Sequence, residues 1–123
     1  MTMADVKKAN SKAIAEFELC SILHKEYGEA MKKLSEARKK KAPQDEIQKL
    51  QADAKRRLDL LSTESGKFDN AISEMDKALQ KIPQNGPDAN AAKEMQDELK
   101  SHRNIAQVFR RARAEEFFKK KYP

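Results

Sequence analysis

Residues 66–83, GKFDNAISEMDKALQKIP, hold the most ordered pattern in the chain. Phe68, Ala71, Ile72, Met75, Ala78, Leu79 and Ile82 recur at helical spacing, so they share one face of an α-helix. Pro83 stops that helix, because proline has no N–H to carry the hydrogen-bond ladder onward. Counting in sevens back from Ile82 gives Met75, Phe68, Leu61, Ala54 and Ile47, all apolar. A column that keeps its phase this far fits one long helix in a three-helix antiparallel bundle. Two features pull the other way. Ser62-Thr63-Glu64-Ser65-Gly66 is polar and weakly helical, so a break or kink is expected there. Arg57 and Glu64 also fall in the column that holds Leu50, Ala71 and Ala78. The competing arrangement is a set of shorter hairpins with turns near Gly28 and Gly66.

Outside this stretch the same logic applies. Val6, Ala9, Ala13, Phe17, Cys20, Leu23, Tyr27, Ala30, Leu34 and Ala37 step by threes and fours, which predicts one long helix. Gly28 costs such a helix about 1 kcal/mol relative to alanine, too little to end it. Arg38 to Lys41 suit the negative pole of a helix end, and Pro43 opens the next helix with Asp45 and Glu46 in its first turn. Pro83-Gln84-Asn85-Gly86-Pro87 is a turn. Asp88 or Asn90 then caps a last helix with Ala92, Met95, Leu99, Ile105, Ala106, Phe109 and Phe117 on its apolar side. The expected fold is all-α: long antiparallel helices at about 4–41, 44–62, 66–82 and 89–119, forming a bundle or hairpins. Residues 1–123 make one domain with a basic, aromatic C-terminal arm at about 110–123.

A shift of the chain against itself by 41 residues superposes Tyr27, Ala30, Met31, Leu34 and Ala37 on Phe68, Ala71, Ile72, Met75 and Ala78. The second copy resembles the latter half of a tetratricopeptide repeat, with Gly66, Phe68, Ala71, Met75, Ala78 and Pro83 at that family's spacing. In the first half Leu58 fits, but Lys55, Asp59 and Ser62 stand where an aromatic or large apolar residue, a small residue and an aromatic belong. A second stretch is similar to a helical segment of the Bro domain: Ala15-Glu16-Phe17, Ser21-Ile22-Leu23 and Tyr27-Gly28-Glu29-Ala30, with Leu34 and Ala37. Both families are helical scaffolds that bind other proteins. The residues carrying the likenesses (Tyr27, Ala30, Leu34, Ala37, Gly66, Phe68, Ala71, Met75, Ala78 and Pro83) imply packing rather than chemistry.

Composition narrows the function classes. A single cysteine, Cys20, leaves no intrachain disulfide and points to a reducing compartment. No apolar run approaches a membrane span, and the N-terminal stretch lacks the apolar core of a secretory signal. An intracellular, soluble, by default cytoplasmic protein is expected. Residues 1–99 carry 18 basic and 18 acidic side chains, while residues 100–123 carry eight basic and two acidic ones. The whole net charge of +6 therefore sits in the last 24 residues.

His24 and His102 have no cysteine or carboxylate at ligand spacing, so no metal site is expected. Cys20 lies in the apolar stripe and reads as a structural thiol. No phosphate loop or nucleophile elbow is present, and neither an enzyme, a cofactor nor a small-molecule substrate is expected. The interaction candidates are Arg103, Arg110, Arg111, Arg113, Phe117, Phe118, Lys119, Lys120, Lys121 and Tyr122. The expected function is a helical protein-interaction or assembly module, a tetratricopeptide-like adaptor or scaffold subunit with an acidic protein partner or a place in a larger complex. The alternative is a small basic subunit of a ribonucleoprotein that grips nucleic-acid phosphates, or an anionic membrane, through residues 100–123.

Overall fold

Three helices follow from three apolar stripes. In the computed structural model, which describes the backbone of residues 2–121 and the side chains of residues 2–114, these are α1 (Met3–Lys39), α2 (Gln44–Gln80) and α3 (Ala89–Lys121). No strand occurs among the described residues. Helix α1 opens with the Thr2 backbone N–H donating to the Asp5 carboxylate at 2.8 Å, one half of a capping box. That hydrogen bond holds the Asp5 carboxyl below its ordinary range. The helix ends at a left-handed residue, Lys41, with φ of 55°. There the Ala42 N–H reaches the Ala37 carbonyl and the Lys41 N–H reaches that of Arg38, the paired bonds of a Schellman close.

Side-chain partners set the directions. Arg57 on α2 meets Glu26 on α1, and Lys12 on α1 meets Glu74 on α2, so these two helices run antiparallel. Asp76 with Arg103 and Asp69 with Arg110 make α2 and α3 antiparallel. Helices α1 and α3 are consequently parallel, with His102 on Asn10 and Phe109 beside His24. The result is an up-down-up bundle of three long helices.

The expected break at Ser62–Gly66 does not occur, and neither does a turn at Gly28: α1 and α2 are each continuous through these positions. The four segments expected at 4–41, 44–62, 66–82 and 89–119 are thus three helices, the middle pair being one. Weak local propensity is overridden because Leu61, Glu64, Ser65 and Phe68 are all buried, so unwinding this turn would expose the centre of the core. The Thr63 hydroxyl satisfies itself inside the helix by donating to the Asp59 carbonyl at 3.1 Å. The polar residues of the Leu50 column also find partners. Arg57 donates to Glu26 across the helix pair at 2.7 Å and to Asp53 on its own helix at 3.0 Å. Glu64 is buried with the Lys67 ammonium at 3.7 Å.

Phe68 is the meeting point of the core. It is fully buried, and its ring lies 6.1 Å from Phe17 of α1, 5.9 Å from His102 and 6.1 Å from Phe109 of α3. Leu61 and Met75, one heptad above and below, are fully buried as well. Of the ten packing residues, Tyr27, Ala30, Leu34, Ala37, Phe68, Ala71, Met75 and Ala78 are buried; Gly66 is half-buried and Pro83 is exposed. Truncating Phe68 to alanine removes contacts to both other helices, and denaturant unfolding should register a loss of about 3–5 kcal/mol. Gly66→Ala should do the reverse. An added Cβ meets nothing within 4 Å, and the helix-propensity gain of about 1 kcal/mol is expected as a raised unfolding midpoint.

Candidate functional site

The cationic face of α3 follows from its register on α2. Because α3 runs antiparallel to α2, basic residues seven apart meet acidic residues seven apart on the partner helix. Arg103 Nη2 reaches Asp76 at 3.1 Å, and Arg110 Nη2 donates to Asp69 at 2.7 Å with its Nε at 3.5 Å from the same carboxylate. Both arginines are about half exposed, so each pair contributes roughly 0–1 kcal/mol and serves mainly to fix register. Two of the basic interaction candidates are thus occupied within the fold.

Arg111 and Arg113 differ. Both are exposed, and neither has a carboxylate within ion-pair distance among the described residues. Neighbouring Ala112 is buried, so these two guanidinium groups stand on either side of the packed stripe of α3. Phe117, Phe118, Lys119, Lys120 and Lys121 lie on the helical backbone of α3, but their side chains, like Tyr122, fall outside the described residues.

A second cationic group appears at the α1–α2 corner, where Arg38, Lys39, Lys40 and Lys41 are all exposed. Beside it a hollow of about 380 Å³ is lined by Met31, Leu34, Ser35, Arg38 and Lys39, with Leu34 buried in its floor. At the opposite end of the α1–α2 pair, a hollow of about 600 Å³ is lined by Asp5, Lys8, Ala9, Lys12, Glu74, Lys77 and Ala78. Its mixed charges, bridged by Lys12–Glu74 at 3.5 Å, favour no ligand charge.

One buried polar pair escaped the sequence reading. His102 Nε2 lies 2.8 Å from Asn10 Oδ1, both residues are buried, and the imidazole packs edge-on against Phe68. The signal was present in the α3 stripe, where Leu99, Ala106 and Phe109 surround an apparent gap at position 102. With Nε2 as donor, the neutral imidazole completes the core. Burial pushes its pKa below the ordinary histidine value, against a smaller opposing pull from Glu98. Cys20 is fully buried, and burial foremost, then Glu16 and Asp69, pushes its thiol up to about 11, which leaves it protonated and unreactive near neutrality. No group of three or more histidine, cysteine, aspartate or glutamate side chains converges for a metal among the described residues. Among the same residues, no helix is long and apolar enough to cross a membrane.

The depressed His102 pKa fixes a sign for pH dependence. The folded state takes up the proton less readily than the unfolded chain. The stabilisation is therefore complete above the unfolded pKa of about 6.5 and is lost as pH falls through that value toward the folded one. Thermal melts at pH 7.5 and pH 5.5 should show a larger drop for the native chain than for His102→Gln; equal drops would remove His102 as the source. No protein-family model matches this chain, and neither the curated proteins nor the solved structures give a significant match.

Proposed function

We propose that this chain is a non-enzymatic helical interaction module that holds an acidic partner through the outward cations of α3. One observation carries the reading: Asp76 and Asp69 occupy Arg103 and Arg110, while Arg111 and Arg113 stay exposed with no acidic partner among the described residues. Guanidinium groups are weakly hydrated and offer planar, bidentate donors, which suits carboxylates or phosphates presented by another molecule. The body supports this as a rigid scaffold, since its helices are held by a continuous apolar column rather than by the exposed cations. The tetratricopeptide and Bro-domain likenesses point the same way at the level of protein-binding helical scaffolds.

The reading is tested with a fluorescent poly-glutamate peptide, oligouridylate RNA and phosphatidylserine vesicles, each titrated at low and moderate salt. Poly-glutamate should bind, weaken with salt, and lose about threefold or more in affinity to Arg111→Gln/Arg113→Gln at unchanged helicity. Binding confined to RNA would transfer the function to the ribonucleoprotein alternative. No binding to any of the three would leave these arginines without a partner role.

A further inference from the structure

Helix α1 carries a second stripe, outside the one that builds the core. Its centre is apolar: Ala15, Leu19 and Ile22. Lys8 and Lys12 precede that centre, Glu26 and Glu29 follow it, and Asp5 and Lys33 close the two ends. Every step is three or four residues, so they share one side of the helix. It is not the side that meets α3. Lys8 and Lys12 lie two residues from Asn10, and Ile22 and Glu26 two from His24, which turns them about 160° away around the helix. Contacts fix the edge toward α2: Lys12 meets Glu74, Glu26 meets Arg57, and Leu19 lies seven residues from both Lys12 and Glu26. On α2, Leu60 follows Arg57 by one turn and precedes Glu74 by two heptads, so it stands at the same α1–α2 edge. Among the described residues nothing covers this edge: Leu19 is 43% exposed, Ile22 56% and Leu60 45%. The result is an apolar patch between two ion pairs, away from α3.

The order of charges selects what covers the patch, because the stripe read backwards is its own complement. An antiparallel copy centred on Leu19 sets Lys12 against the partner's Glu26, Lys8 against the partner's Glu29 and Asp5 against the partner's Lys33. The same register places Ala15 on the partner's Ile22 and Leu19 on the partner's Leu19. One two-fold axis serves all of these pairs to within a residue. A parallel copy would set lysine on lysine and glutamate on glutamate. The ion pairs within the fold do not compete, since Lys12 and Glu26 remain about half exposed in them. Across the axis Glu74, Lys12, the partner's Glu26 and the partner's Arg57 then alternate in sign. We infer that this edge is the interface of an antiparallel homodimer, in which α1 packs on α1 of a second copy. The inference goes beyond the acidic-partner reading and uses none of its residues.

Sedimentation equilibrium of the intact chain over a concentration series should approach twice the mass of one chain. Leu19→Glu changes an exposed position and puts two carboxylates at the axis. It should weaken association at least about tenfold, with the helical circular dichroism unchanged. Lys8 and Glu29 are exposed and make no ion pair among the described residues, so they test the register. Lys8→Glu alone sets like charges together and should weaken the dimer about fivefold. Lys8→Glu/Glu29→Lys restores the pairing in reverse and should recover it. A chain that stays monomeric at millimolar concentration overturns the inference. So does a dimer indifferent to Leu19→Glu, or one weakened instead by Arg111→Gln/Arg113→Gln, because its interface lies on another face. A double variant that associates no better than Lys8→Glu removes the antiparallel register and overturns the inference as well.

Discussion

The packing of α3 depends on one ring. Phe68 lies on the middle helix at the level where all three helices meet, with Phe17 on one side and His102 and Phe109 on the other. The chain is poor in aromatics, with five phenylalanines, two tyrosines and no tryptophan. Three of the phenylalanines are spent at this level. Elsewhere the core is built largely from small and aliphatic side chains, among them Ala30, Ala37, Ala54, Ala71 and Ala78. Small residues let α1 and α2 approach closely, but each buries little area, so an aromatic cluster has to supply a large share of the apolar burial that retains α3.

The Asn10–His102 pair sits against that cluster and adds selectivity to it. A bundle of heptad columns tolerates slippage of one helix by seven residues, since apolar positions would again face apolar positions. Sliding α3 in this way would carry His102 away from Asn10 and leave two buried polar groups without partners. The same slip would separate Arg103 from Asp76 and Arg110 from Asp69, although one cross-pairing would survive. The exposed ion pairs thus reinforce a register that the buried hydrogen bond enforces. Ser65, whose buried hydroxyl has no hydrogen-bond partner among the described residues, shows that the same core level also carries an uncompensated polar group.

Much of the architecture was legible in the column Ile47–Ile82, because burial repeats with the helix period and the sequence records it directly. What the column could not reveal was whether the Ser62–Gly66 turn survives. Helix propensity is a local quantity, whereas the burial of Glu64 and Ser65 depends on how the three helices pack. The site was legible as charge but not as partnership. Arg103, Arg110, Arg111 and Arg113 look alike in sequence; only the antiparallel register of α2 and α3 separates the two that pair with α2 from the two with no ion pair among the described residues. His102 and Asn10, 92 positions apart, were beyond reach for the same reason.

Helix dipoles account for only part of the positive charge on α1 and α3. At the end of α1, Arg38 and Lys39 suit the negative pole of the helix. The dipole effect fades within the last turn, however. Lys32 and Lys33 lie seven and six residues before the end of α1, and Arg111 and Arg113 lie ten and eight before the end of α3. Those four cations stand too far back to be held there by the dipole. Lys32 and Lys33 have Glu29 and Glu36 three or four residues away on their own helix, whereas Asp69 and Asp76 are engaged by Arg110 and Arg103.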